Sequence, residues 1–99
     1  MTRFCPRGTL EAMKSFSETH LKMSKSYFGF AKASMKEGAC RRAFAESLRA
    51  MAHIAIADSH HKVAKRGKAN PSHTKMEKKI IKLIESSIKS PKCRKVWMP

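Results

Sequence analysis

The sequence predicts an all-α fold: a three-helix bundle made of a long helical hairpin and a third amphipathic helix, with helix 2 central. Three observations predict it. Strand formers are few, whereas Lys, Ala, Met and Ser are many, a composition that favours helix over sheet. Met13, Phe16, His20, Met23, Tyr27, Phe30 and Ser34 recur at alternating spacings of 3 and 4, which keeps them on one side of a helix. Ala50–Ala57 runs eight residues without a formal charge in a chain of net charge +15, as expected of a segment covered by its neighbours. Ninety-nine residues suffice for one domain with one modest core. The expected division is a leader over 1–8, a helical bundle over 9–90 and a basic tail over 91–99.

The first helix is expected to start at Thr9, a residue suited to capping, with Glu11 favourably placed in the first turn. The Met13–Ser34 stripe is its expected inner seam, and Lys14, Lys22, Lys25, Lys32 and Lys36 fall on the opposite side. Small residues flank the seam (Ser17, Thr19, Ser24, Ser26, Ala31, Ala33) and let a second helix approach closely. Leu21 and Phe28 widen the stripe, as a helix touching two neighbours requires. Gly29 is a weak point, costing about 1 kcal/mol against Ala, and a candidate bend. Gly38 suits a left-handed helix end, and the short turn there implies an antiparallel hairpin.

The second helix is expected from about Ala39 to Lys65. Phe44, Leu48, Met51, Ala55 and Ser59 define one face. Ala43, Ser47, Ala50, Ile54 and Ala57 define an adjoining face of mostly small residues. Gly67 and Asn70-Pro71 mark a loop. Thr74 and Glu77 have the spacing of a capping box. The third helix then runs to about Lys89, with Met76, Ile80, Leu83, Ile84, Ser87 and Ile88 inside and Lys75, Lys79, Lys82, Ser86 and Lys89 outside. Ser90-Pro91 ends it.

Catalysis finds little support. There are only seven acidic residues, most of them at helix positions that read as exposed or capping. No Gly-rich phosphate loop or nucleophile elbow is present. The chain therefore reads as non-enzymatic, with no catalytic residue, metal or cofactor assigned. Asp58 and His61, three apart, form a conceivable metal pair with His20, but no motif stands behind them. His20 reads as a half-buried seam residue and the other histidines as surface groups among lysines. Cys5, Cys40 and Cys93 lack any CxxC spacing. They read as free thiols in a reducing compartment, although their expected places, leader, start of helix 2 and tail, can meet at one end of a bundle. The N-terminus has no apolar signal region, and no apolar run is long enough to span a membrane. The expected location is cytoplasmic, or nuclear in a eukaryotic source.

Charge carries the functional expectation. Lys plus Arg number 22 against 7 acids, and the pI is near 10.3. Such a surplus suits nucleic acid, an anionic membrane surface or an acidic protein. The densest cluster is Lys62, Lys65, Arg66, Lys68, Lys75, Lys78, Lys79 and Lys82. Clustered cations gain affinity by releasing the counterions condensed on phosphates. Arg66 is the one Arg among the eight, which points to backbone contact more than base reading. Aromatic interleaving is poor, with only Trp97 near the basic end, and this argues against a stacking platform for single strands.

The order of long helix, turn, long helix and basic segment is similar to the N-terminal part of BAR-type membrane-curving domains, through the seam from Met13 to Phe30 and FAESLRAMAHIAIADSHHKVAK. KASMKEGACRRAFAESL and HHKVAKRGK resemble stretches of small basic helical ribosomal proteins. The first resemblance implies anionic-membrane binding by a fragment of a longer domain. Neither carries over individual functional residues. The leading expectation is non-enzymatic nucleic-acid binding, DNA or RNA, through the phosphate backbone. The alternatives are a protein-interaction module docking on an acidic partner and a peripheral binder of anionic membranes. Because a heptad seam with small flanks can pair between chains, a homodimer is compatible with the pattern.

Overall fold

The computed structural model describes residues 7–97. They form α1 (Arg7–Lys36), α2 (Cys40–Ala64), α3 (Pro71–Lys89) and the single-turn α4 (Arg94–Trp97), with no strand among the described residues. The fold is all-α, and α1, α2 and α3 build the bundle. Cys5 and most of the expected leader lie outside the described residues. Arg7 and Gly8 already belong to α1, so Thr9 sits inside the helix and does not cap it. α1 runs unbroken through Gly29.

The hairpin turn follows the expectation. Gly38 has φ 77°, and its N–H donates to the Met35 carbonyl while the Ala39 N–H donates to that of Ser34. This paired arrangement satisfies the last carbonyls of a helix and requires a left-handed residue, at no cost to glycine. α2 ends in the same way with a worse residue. The Gly67 N–H donates to the Lys62 carbonyl, and the left-handed position falls on Arg66, φ 51°. A side chain there costs about 1–2 kcal/mol. α3 starts earlier than the Thr74–Glu77 spacing suggests. Asn70 caps it, its Oδ1 accepting from the Ser72 N–H at 2.9 Å, and Pro71 is the first helical residue. Proline is favoured there because its missing N–H would have had no helical partner. Thr74 is thus inside the helix, and the expected capping box does not form.

Packing of α1 on α2 corrects the expected seam. The buried residues of α1 are Ser17, Ser24, Ala31 and Ser34, mostly the small flanks and not the aromatic stripe. Phe16, Met23 and Phe30 are 51%, 38% and 58% exposed. α1 is therefore turned by about a quarter of a turn from the expected orientation. The physical reason is close approach. Ser17 Oγ donates to the Ala57 carbonyl and Ser24 Oγ to the Ala50 carbonyl, each at 2.7 Å. These pairs repeat at seven residues along both antiparallel helices, and one more step pairs Ala31 with Ala43, both buried. Side chains as large as Phe or Met cannot occupy those positions while a hydroxyl reaches the opposing backbone.

α3 closes one flank of this hairpin. The core lies between them: Ala50, Ile54, Ala57, Met76 and Ile80, with Leu21, Tyr27, Phe28, Met51 and Ile84 packed around it. Helix 2 is central in that it makes the main contact of the bundle, with α1, and also packs on α3 and α4. Its charge-free Ala50–Ala57 stretch is not covered all round, however. Ala52, Ala55 and Ile56 face solvent, because no element lies on that side. Leu48, on the face defined by Phe44, Leu48, Met51, Ala55 and Ser59, is 47% exposed.

The basic tail folds back. Cys93, buried, is disulfide-bonded to Cys40 at the start of α2. The Trp97 indole N–H donates to the Ser87 hydroxyl, and its ring meets Phe44 edge-on at 4.4 Å. The expectation of free thiols is thereby corrected for these two cysteines. The inference of a reducing compartment loses its support, since disulfides persist chiefly in oxidising ones. With a sequence separation of 53 between the two cysteines, loop-closure entropy assigns the crosslink about 4 kcal/mol.

The seam makes a direct prediction. Ser24→Ala removes one hydrogen bond and should cost about 1 kcal/mol in urea unfolding. Ser24→Leu overfills the contact and should cost about 1–3 kcal/mol, more than the alanine. Equal stability of the two variants would contradict the close packing.

Candidate nucleic-acid interface

The eight predicted cationic residues fall on the end of α2, on the turn that follows it and on α3. Lys75, Lys78, Lys79 and Lys82 are all exposed on α3. At 100° per residue they share an arc of about 100° with Lys89. Lys65, Arg66 and Lys68 are exposed at the α2–α3 turn. Lys62 is engaged otherwise, its Nζ 3.0 Å from Asp58 Oδ2.

The structure adds cations from α1. A shallow groove of about 270 Å³ is lined by Phe28, Lys32, Lys79, Lys82, Leu83 and Ser86. Lys32 from α1 thus stands across from Lys79 and Lys82, its Nζ 5.4 Å from the centre of the Phe28 ring. At the other end of the same helix pair, Lys14 and Lys65 border a smaller hollow with Glu18, Leu21, Asn70 and His73. Lys25 lies between, seven residues from Lys32 and so on the same side of α1. Lys14 and Lys32 were not among the predicted residues. Leu21 and Phe28 were the available signal. They stand off the aromatic stripe, mark the side that α3 covers, and are flanked by these lysines.

The opposite flank of α1 has a different character. Phe16 meets His60, His60 stacks on His20, His20 on His53, and His53 on Tyr27, with ring centres 5.1–5.9 Å apart. Arg49 ends the ladder over Tyr27 at 6.0 Å. His53 and His60 therefore belong to an aromatic ladder, not to a lysine surface as expected. His20 Nδ1 and His53 Nδ1 are 2.8 Å apart, so one ring donates a proton and the other accepts, and the bond needs at least one of them neutral. The conceivable trio of Asp58, His61 and His20 is not assembled. Asp58 turns to Lys62 and His73, on the other side of α2 from the ladder. Among the described residues no three His, Cys, Asp or Glu side chains converge for a metal ion.

Two histidines are held below the ordinary imidazole range. For His20 the first cause is burial, followed by repulsion from His53 and His60. For His73 it is burial, then His61, with the Asp58 carboxylate pulling the other way. That carboxylate is 3.7 Å from His73 Nδ1, too far for a hydrogen bond, and the nitrogen is buried without a partner. Desolvation therefore outweighs the ion pair.

No family model, curated protein or solved structure matches the chain.

Both histidines favour the neutral ring when folded, so near pH 6 the unfolded chain binds more protons. Their contribution to stability is complete above the ordinary value of 6.5 and is lost as pH falls through the lower folded values. The urea midpoint should be level from pH 8 to 7 and should decline between pH 6.5 and 5. A His20→Phe variant should show a shallower decline. A midpoint that rises on acidification would contradict this assignment.

Proposed function

We propose that the protein binds the phosphate backbone of nucleic acid along the α1–α3 side, without catalysing a reaction. One observation carries the reading: lysines of two different helices, Lys32 against Lys79 and Lys82, border a single groove, and further lysines extend the row at both ends. α3, with 19 residues, is about 28 Å long, the axial length of about eight base pairs. Ammonium groups along such a row act as point charges on phosphates and read no base edges. Little sequence preference follows.

An anionic bilayer is the weaker reading. A helix that lies on a membrane carries its cations beside the apolar surface that inserts. Here Lys14, Lys25 and Lys32 lie on one flank of α1 and Phe16, Met23 and Phe30 on the other, with Lys22 the α1 lysine that lines a groove beside Met23 and Phe30. No helix among the described residues is long and apolar enough to cross a membrane.

Binding of a fluorescent duplex should weaken steeply with salt, with a slope of log Kobs on log salt of about −5 for five to six phosphates neutralised. Replacing Lys32, Lys79 and Lys82 together by Ala should flatten that slope by about 3. Lys62→Ala, which alters a residue already paired with Asp58, should change it little. A flat salt dependence, or binding only to acidic vesicles, would refute the proposal.

A further inference from the structure

The hollow at the Lys14–Lys65 end of the molecule carries chemistry that a row of lysines alone does not. Its volume is about 120 Å³. That is room for about four waters at about 30 Å³ each, and so for one tetrahedral oxyanion. Lys14 and Glu18 come to it from α1, His61 from the end of α2 and His73 from α3, with Lys65 and Asn70 at the two ends of the intervening turn. Two ammonium groups from different elements thus stand around it, against one carboxylate. His73 is the third residue of the 19-residue α3, so the hollow also lies at the positive end of that helix. The first N–H groups of α3 are already used, those of Ser72, His73 and Thr74 all on Asn70. The helix therefore contributes its dipole, and side chains must provide the donors.

His73 is the observation that points to a ligand. It lines the hollow, is 3% exposed, and keeps a buried Nδ1 without a hydrogen-bond partner. Native proteins leave few such atoms unsatisfied. The charged and titratable groups around it are Lys14 and Glu18 from α1, and Asp58, His61 and Lys65 from α2 and its end. Lys62 acts on it only through Asp58. A neutral imidazole has one N–H for its two nitrogens. Asp58 Oδ1, 3.7 Å from Nδ1, favours the proton on that side, which leaves Nε2 a lone pair. A second proton makes both nitrogens donors, Nδ1 towards the carboxylate and Nε2 towards an anion in the hollow. Burial and His61 hold that proton off in the free protein. A bound anion provides the missing counter-charge.

We propose that this hollow seats a phosphate monoester, its oxygens taken by Lys14, Lys65, Asn70 and His73. The donor set selects the ligand. Asn70 Oδ1 is committed to Ser72, which leaves its amide nitrogen as a donor. Donors spread over three elements suit a tetrahedral group with three terminal oxygens better than a planar carboxylate with two. Two lysines match a dianion. Glu18 makes both of them necessary, because it cancels either one alone and then repels the ligand. Such a group arrives as the end of a nucleic-acid strand or as free phosphate. The first source rests on the backbone-binding reading, since the hollow ends the lysine row. The second does not.

Two arms test it on the full chain. In the first, inorganic phosphate is titrated to about 20 mM at fixed ionic strength while the histidine ring nitrogens are followed by NMR. The His73 nitrogens should move towards imidazolium shifts, and those of His53 and His60 should not. Lys14→Ala and Lys65→Ala, at exposed positions, should each raise the phosphate Kd about tenfold, the loss expected of a charge-assisted contact. Lys32→Ala should leave it unchanged. Sulfate, a dianion throughout, should bind more tightly at pH 6.5 than at pH 8, by at most about tenfold per pH unit for one proton taken up. In the second arm, a duplex with 5′-phosphates should bind about tenfold more tightly than the same duplex with 5′-hydroxyls, and Lys65→Ala should erase the difference. Phosphate seated at His73 without that preference assigns the seat to free phosphate. Phosphate binding that ignores Lys14 and Lys65, or that leaves His73 unmoved, overturns the inference whether or not the duplex binds. Phosphate seated at His73 with no duplex binding overturns the backbone reading and leaves this one standing.

Discussion

The molecule depends on the close contact of α1 with α2 through Ser17, Ser24 and Ala31 against Ala57, Ala50 and Ala43. All six are buried, and two of the three steps carry a serine hydroxyl bonded to the backbone of the other helix. Few atoms are buried per residue in such a seam, so the hydrophobic term is small. Proximity compensates, because dispersion between closely packed backbones and hydrogen bonds formed away from water add to it. The same closeness explains why α3, the Asn70 cap and the Cys40–Cys93 bond are needed. Two helices joined by small residues alone bury too little surface to stand by themselves.

Orientation at this seam divides the surface. Once Ser24 faces Ala50, Leu21 and Phe28 point towards α3 and the aromatic stripe points away from it. Lys14, Lys25 and Lys32 then necessarily share a side with the lysines of α3, and His53 and His60 of α2 share a side with Phe16 and Tyr27. Lys14, Lys25 and Lys32 thereby separate from the aromatic stripe, whereas Lys22 stays beside it. A single rotation of α1 thus underlies both the basic groove and the open aromatic flank.

Much of this was legible in the residues, for physical reasons. Helix lengths, the Gly38 turn and the Ser90-Pro91 stop follow from backbone preferences that act locally. The inner face of α3 was largely readable because its isoleucines and lysines alternate with helical period. The orientation of α1 was not, because two stripes compete there. The aromatic one looked like a seam by hydrophobicity, whereas Ser17 and Ser24 win through hydrogen bonds that depend on a partner 40 and 26 residues away. The disulfide was hidden for the same reason, since it depends on the start of α2 meeting the C-terminal tail. Of the eight basic residues singled out, Lys79 and Lys82 line the groove with Lys32, Lys65 borders the hollow at its far end, and Lys62 is held by Asp58. A cluster in sequence became a row in space only when α1 supplied the other wall.

The most direct test is a methyl NOE experiment on a protein labelled at alanine methyls, with serine, methionine and phenylalanine protons visible. The account predicts contacts from Ala43 to Ala31, from Ala50 to Ser24 and from Ala57 to Ser17, with none from these alanines to Phe16, Met23 or Phe30. Contacts from Ala43, Ala50 and Ala57 to those three large side chains would mean that α1 faces α2 with its aromatic stripe. The division of the surface described above would then be wrong.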